Sequence, residues 1–248
     1  MGMPRLDLFI LRKSNASIFN RMCLIAVLGI LILSELKGQT RSVSMSFHAV
    51  LGEQKLRKDS AYVLKSGLDT VRIDVFRFYI SNVQFLSKGK VVNEQKERYF
   101  LVDVFDSTSC KLSLLVDKAI TYDHVRFNLG IDSTTNVSGV MGGSLDPTRG
   151  MYWTWQSGYI NMKLEGYSTR CIERNKRFQY HLGGYAAPFN SLQTIELGTG
   201  NVSDISIAVD ANHFLSEVDT GELGHVMSPC AKAVALSQTA VTMFSVRK

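Results

Sequence analysis

The sequence lacks the motifs that mark the common enzyme classes. It contains no G-x-S-x-G, no H-E-x-x-H, no phosphate-binding loop and no dinucleotide-binding glycine fingerprint. No acid–base pair and no nucleophile–base arrangement can be read along the chain. A hydrolase or a nucleotide-dependent enzyme therefore gains little support, and we expect a protein that is not an enzyme.

Cysteine is scarce and widely spaced. Apart from Cys23 near the start, the chain holds Cys110, Cys171 and Cys230, which are too far apart for a C-x-x-C metal or redox motif. At most one pair among these three can form a disulfide. The sequence does not say which pair.

A long apolar run is also missing. The run Met22–Leu33 covers 12 residues, whereas a membrane-spanning helix needs ~20. Basic side chains precede this run and the small residue Gly38 follows it, which is the pattern of a secretory signal peptide. We therefore predict a signal peptide over residues 1–38, cleavage near Gly38/Gln39, and a periplasmic or secreted product without a membrane anchor. The alternative is an uncleaved N-terminal anchor.

Strong charge is absent once that segment is set aside. The whole chain carries 28 basic and 22 acidic residues, a formal charge of +6. Residues 1–38 contain five of the basic and two of the acidic residues, so the remainder carries only +3. This balance is too mild to predict binding to nucleic acid or to an anionic membrane.

What remains reads mostly as β-strand. Apolar and polar residues alternate through "VSMSFHAVL", which predicts a half-buried strand with His48 on its polar face. Lys88-Gly89 is typical of a hairpin turn, and residues 132–150 are predicted to form a long loop. One short helix is predicted near the C-terminus, capped by Ser228 with Pro229 at its first position. We predict a mainly β fold: a single antiparallel sandwich or barrel-like domain over residues 39–248.

No two of the five histidines share close metal-ligand spacing, so a metal site must be assembled from separate strands. His181 stands out because two glycines follow it in "YHLGGY". His213 and His225 fall in predicted loops or strand ends and are weaker candidates. By the period of two, Trp153 and Trp155 share one face of a predicted strand, where core packing is their ordinary role.

Six segments, in order, resemble the copper-binding MbnP-like family of methanobactin-associated periplasmic proteins. They are "FHAVLG", "FRFYISNVQF", "YFLVDV", "VRFNLGID", "SLDPTRGMYWTWQSGYINMKLEG" and "FQYHLGG". The resemblance covers almost all of the chain after residue 38. It departs from the family pattern in the C-terminal helix, where Ser-Gln-Thr stands in place of an asparagine-bearing stretch.

The resemblance implies an exported β domain that binds one copper ion, as Cu(I) or Cu(II), with histidines among the ligands. His48 and His181 match the histidine-bearing motifs of the family and are the expected metal ligands. Trp153 and Trp155 match its tryptophan motif. In some members a tryptophan is oxidised to kynurenine by a dihaem partner related to cytochrome c peroxidases, so that partner is implied here too.

Two other interpretations remain open at the level of sequence. One is a β-sandwich binding module without metal, for example for carbohydrate, with Trp153, Trp155 and Tyr159 as an exposed stacking platform. The other is a scaffold whose tryptophans belong to the core.

Overall fold

β-Strands dominate the computed structural model, which describes residues 39–64, 67–155 and 158–247. The predicted signal peptide lies outside the described residues. The strands are β1 Thr40–Leu51, β2 Gln54–Lys55, β3 Ala61–Val63, β4 Thr70–Ser87, β5 Lys90–Asp103, β6 Lys111–Asp117, β7 His124–Leu129, β8 Tyr152–Trp153, β9 Gly158–Ser168, β10 Arg177–Gly183, β11 Gln193–Gly198, β12 Asp204–Asp210, β13 His225–Val226 and β14 Phe244–Val246. The helices are α1 Ser133–Val137, α2 Ala211–Glu217 and α3 Ala231–Ala240. The predicted mainly β fold with a short C-terminal helix is confirmed.

The strands form two sheets. In the smaller sheet the order is β14-β12-β1, and β6 and β2 follow one another along the free edge of β1. In the larger sheet the order is β11-β7-β4-β9-β10-β13, and β3 and β5 also pair with the long strand β4. Most pairs are antiparallel, as predicted, but β1 with β12 and β10 with β13 are parallel.

Aromatic residues fill the core between the two sheets. Phe47 of β1 meets Phe78 of β4 and Phe127 of β7 edge-on, with ring centroids 5.6 and 6.1 Å apart. Phe244 of β14 closes the group, 5.5 Å from Phe78. Because side chains alternate along a strand, the neighbours of these residues point to the outer faces of the sheets. The outer faces therefore carry the polar side chains considered below.

A second apolar cluster covers part of the outer face of the larger sheet. Its buried members are Tyr79, Ile131, Leu145, Met151, Trp153, Tyr159 and Ile160. The segment predicted as a loop, residues 132–150, supplies the cover and contains α1 and the 3-10 turns Gly143–Leu145 and Pro147–Arg149. Asp132 caps α1 by accepting a hydrogen bond from the Thr135 N–H. The segment predicted as a loop therefore contains a short, capped helical turn.

The predicted hairpin turn is confirmed, whereas two predictions at helices are wrong. Lys88 and Gly89 both have positive φ, 50° and 76°, and join β4 to β5 as predicted. Helix α3 begins at Ala231 with Cys230 as its N-cap, so the predicted start at Ser228-Pro229 is wrong by two residues. The chain stays extended through Cys230, whose φ is −162°. His213, predicted in a loop or strand end, lies in α2, because Asp210 caps that helix at the Asn212 N–H.

Within the described ranges no helix is both long and apolar enough to cross a membrane.

Candidate functional site

His181 lies on the outer face of the larger sheet. Its neighbours on β10, Tyr180 and Leu182, point into the core, so the imidazole points the other way. It is buried, and its Nε2 lies 2.7 Å from Oε1 of Glu165 on the adjacent strand β9. Hydrogen bonding to His181 is the main cause that holds the pKa of Glu165 below its ordinary value. Nδ1 has no hydrogen-bond partner among the described residues.

A row of charged side chains extends from His181 across the same face. The Lys163 ammonium lies 3.6 Å from Glu165 and donates a hydrogen bond to the Gly150 carbonyl. On the next strand, Arg77 pairs with Asp103 at 2.7 Å. This network ties the sheet to the covering segment that ends at Gly150. Glu165 is thus held by two cationic or polar partners and cannot rotate freely away from His181.

Trp153 packs onto the same face, close to His181. A Cβ placed on Gly183 would lie 2.6 Å from Cζ3 of Trp153 and 2.7 Å from the Tyr159 carbonyl oxygen. The indole therefore lies directly against the Gly183 backbone. Gly183 is two residues beyond His181, a separation of about 7 Å along a strand. The fold therefore packs Trp153 against Gly183, two residues from His181 on β10.

Trp155 occupies a different environment from Trp153. Strand β8 ends at Trp153, and Trp155 lies in the following turn. Trp153 is 6% exposed and Trp155 is 62% exposed, so the prediction that both share one strand face is wrong. The two rings nonetheless meet, with centroids 5.9 Å apart. The turn places Trp155 at the surface, with Trp153 directly behind it.

The burial of the aromatic residues also bears on the carbohydrate platform. Trp153 and Tyr159 are both buried, and Trp155 alone of the three is exposed. A flat stacking platform of three rings is therefore absent from the described surface. Trp153 is buried among apolar side chains, as expected for a tryptophan, but it belongs to the second apolar cluster on the outer face of the larger sheet and not to the main core.

β13 lies alongside the part of β10 that leads to His181. It runs parallel to β10, with Gln179 opposite His225 and Tyr180 opposite Val226. One residue beyond this last pair, β10 continues to His181 and the chain after β13 continues to Met227. A Cβ on Gly184 would lie 3.0 Å from Pro229, which shows that the chain stays next to β10 beyond Met227. Met227 is partly exposed.

His225 lies on the outer face near this group but points toward a carboxylate of its own. Its Nδ1 is 2.8 Å from Oε1 of Glu173, and both side chains are partly or largely exposed. His213 is farther from these residues in the fold, on α2. Its Nε2 lies 3.8 Å from Asp210, the residue that caps that helix. Each of these two histidines has its own carboxylate partner.

His48 is on the opposite side of the molecule from His181. Phe47 points into the core, so His48 points to the outer face of the smaller sheet, as the alternation predicted. The core between the two sheets separates it from His181, and the two histidines do not share a site. Partial burial, together with the nearby charges of Arg247 and Lys55, lowers the pKa of His48.

The donors around His181 suit one class of metal. No group of three or more His, Cys, Asp or Glu side chains that could hold a metal ion occurs in the described part of the chain. An imidazole and a thioether each follow the last pair of the β10–β13 ladder, and these donor types suit Cu(I), a soft ion, better than Mg²⁺ or Ca²⁺. A histidine whose second nitrogen is held by a carboxylate is the usual arrangement of a metal-ligating imidazole. By donor type, these residues fit copper.

Several contributors to this site have no signal in the sequence. Glu165 lies 16 residues before His181, and only the pairing of β9 with β10 brings them together. Met227 is placed by the parallel strand β13, which consists of two residues. The two glycines after His181 were a signal for close approach. They did not identify Trp153 as the group that approaches.

Comparison with known proteins gives two matches. The sequence model of the MbnP family matches residues 40–229. Among solved structures, the fold is similar to MbnP from Methylosinus trichosporium, with a TM-score of 0.58 and 14% sequence identity over 79% of this chain and 87% of that one. A search of curated proteins finds no match.

Proposed function

Because the chain belongs to the MbnP family, we propose that it is an exported, non-catalytic copper-binding protein whose site lies at His181. The observation that carries this proposal is a buried imidazole, His181, held by Glu165 through Nε2 and two residues along β10 from the glycine against which Trp153 packs. In this arrangement Nδ1 of His181 and the sulfur of Met227 are the native donors. Glu165 orients the imidazole and raises its basicity toward the metal.

We also propose that a tryptophan near this site is chemically modified, and the arrangement of Trp153 and Trp155 supports this. With hydrogen peroxide as oxidant, a dihaem peroxidase-like partner would oxidise Trp153 to kynurenine: the peroxide supplies oxygen and accepts the electrons, the indole C2–C3 bond is cleaved, and C2 leaves as formate. The exposed Trp155 would lie at the surface where that partner docks. Kynurenine carries an aromatic amine and a ketone in place of the indole. Formed at Trp153, it would add donor atoms close to His181 and complete a site that has two donors of its own.

Copper binding tests the proposal first. The mature protein is loaded with Cu(I) without oxygen, and the His181→Ala variant is expected to bind at least tenfold more weakly, since one of two native donors is gone. Met227→Ala is expected to weaken binding to a smaller extent. The matched control is His213→Ala, which removes an exposed histidine on α2. Unchanged affinity in His181→Ala would refute the site.

Intact mass tests the tryptophan assignment. The protein is produced with and without a co-expressed dihaem peroxidase-like enzyme, and peptide mapping locates any modified residue. We expect the modification on Trp153, its absence in Trp153→Phe, and slower formation in Trp155→Phe. Modification confined to Trp155, or unaffected by Trp153→Phe, would contradict the assignment.

A further inference from the structure

A cavity of about 590 Å³ opens at one edge of the smaller sheet, beside His48. It lies where the chain alongside β1 changes from β6 to β2. β6 pairs with β1 up to Ser46 and β2 pairs from Val50; between them the Phe47 N–H donates to the Cys110 carbonyl and the Ala49 carbonyl accepts from the Leu56 N–H. The volume falls in the range of about 300–1,000 Å³ typical of small-molecule sites.

Three cations surround this cavity. Lys111 is directly opposite Ser46 and Lys55 is directly opposite Val50, so they flank His48 on either side along β1. Arg247 comes from the other direction, beyond β14, where its backbone N–H donates to the Ser206 carbonyl. All three side chains are exposed, and none forms an ion pair with another described residue.

Negative charge at this site is weaker than positive charge. Glu53 is the acidic residue that lines the cavity. Asp210, directly opposite Val50 on β12, does not line it and already accepts hydrogen bonds from the N–H groups of Gly52 and Asn212. The cavity therefore carries a net charge of about +2 from Lys55, Lys111, Arg247 and Glu53. This field attracts anions and opposes a metal cation.

The remaining wall is apolar. Leu56, Val104 and Phe105 line one side, next to the end of the main core. Small side chains, Ser46 and Ala49 on β1 and Ser107, line other parts of the cavity. The cavity thus offers cations and an imidazole to one end of a ligand and hydrocarbon to the other.

From this arrangement we infer that the cavity binds a small organic anion, with a carboxylate or phosphate head on a short apolar body. The head contacts Lys55, Lys111 and Arg247. The body packs against Leu56 and Phe105. The site is separate from the copper site proposed at His181 and does not depend on it.

Calorimetric titration of the mature protein tests the inference with three probes: phenyl phosphate, inorganic phosphate and benzyl alcohol. Phenyl phosphate is expected to bind most tightly, because it uses both ends of the cavity, and to weaken as salt is added. Each of Lys55→Gln, Lys111→Gln and Arg247→Gln is expected to weaken its binding roughly two- to fivefold, and the triple variant by about tenfold or more. Phe105→Ala is expected to weaken phenyl phosphate and leave inorganic phosphate unchanged.

Lys90→Gln, which removes an exposed lysine at the β4–β5 hairpin, is the matched control and is expected to bind as the unaltered protein does. Absence of phenyl phosphate binding, or binding equal in Lys90→Gln and the triple variant, would overturn the inference. Benzyl alcohol binding as tightly as phenyl phosphate would do the same. Copper content is expected to be unchanged in the triple variant, which separates this result from the test at His181.

Discussion

At the residue scale, buried polar and aromatic groups are fixed by partners that are distant in sequence. Asp69 is buried and accepts hydrogen bonds from the hydroxyls of Ser168, Thr169 and Thr220. It thereby joins the start of β4 to the end of β9 and to the turn before β13. Gly183 has a comparable importance for a different reason, because the absence of a side chain there admits the Trp153 ring.

Gly183→Ala is expected to displace Trp153. The new Cβ would lie 2.6 Å from Cζ3 of the indole, and the Tyr159 backbone on the other side leaves no room for it to retreat. We expect a loss of ~1–3 kcal/mol in the free energy of unfolding and a red shift of tryptophan emission. Urea titration followed by fluorescence measures both. Gly142→Ala is the control, since nothing lies within 4 Å of a Cβ at that position, and equal effects of the two changes would contradict the argument.

Asp69→Asn is expected to destabilise the fold in a pH-dependent manner. Burial by itself raises the pKa of Asp69, but the hydrogen bonds from Ser168, Thr169, Thr220 and the Arg170 N–H outweigh it, so the pKa lies below its ordinary 3.8. The ionised carboxylate therefore stabilises the folded state above about that pH, and the stabilisation is lost as pH falls through the folded pKa.

We expect the Asp69→Asn change to cost ~1–3 kcal/mol near neutral pH, because the donors around the side chain lose a charged acceptor. In acid, the difference in unfolding free energy between the two proteins should shrink. Urea unfolding of both proteins, from neutral pH to below the ordinary pKa of 3.8, measures this difference. A difference that stays constant down to strong acid would show that Asp69 acts through shape rather than charge.

At the residue scale, the sequence predicted the direction of a side chain but not the residues that it contacts. The polar-face position of His48 followed from the alternation of β1, and it is confirmed. The partner of His181 could not be inferred, because Glu165 is brought to it by the pairing of β9 with β10, which no local pattern encodes.

At the element scale, turns with strict backbone requirements are the best predicted parts of the molecule. The β4–β5 hairpin requires positive φ at two positions, and Lys88-Gly89 indicates it because glycine tolerates that conformation. Helix α1 and the two 3-10 turns after it were missed, since each is a single turn with no apolar period. Helix α3 was found, but it starts two residues later than predicted, because Pro229 packs against Gly184 and the chain stays extended through Cys230.

Lys88→Asn is expected to stabilise the hairpin. Lys88 has φ of 50°, a conformation that asparagine adopts at lower cost than lysine, and the backbone N–H keeps its hydrogen bond to Asp123. The free energy of unfolding should rise by ~0.5–1 kcal/mol. Thermal and urea unfolding measure the change. Lys90→Asn, one strand residue beyond the turn, is the control and should not stabilise; a gain in that variant instead would point to a charge effect.

At the scale of the whole molecule, the fold is held by packing between two sheets rather than by covalent links. Cys110, Cys171 and Cys230 are all free thiols in the described chain. The sequence left one disulfide open, and the structure contains none among these residues. Alternating strands predicted a sandwich, yet nothing in the alternation could show that β1 would pair with β12 in parallel.

Thiol counting checks this picture. In urea, Ellman's reagent is expected to find three reactive thiols in the mature protein. In the native protein, Cys171 is fully buried and should not react, and Cys110 should react slowly because burial raises its pKa. A count of one in urea would show that a pair is oxidised in the isolated protein. Cys171→Ser should leave the native count unchanged.

The parallel pairing of β1 with β12 has a consequence for how the chain reaches this state. Ser44 pairs with Asp204, so β1, the central strand of the smaller sheet, cannot pair with β12 until 160 further residues have been synthesised. A loop of that length closes slowly, and the sheet cannot be completed while the ribosome is still making the middle of the protein. The chain therefore completes its fold only at the end of synthesis or after it. During that interval β1 keeps an unpaired edge, and a holding chaperone or transport channel would meet it as an extended strand.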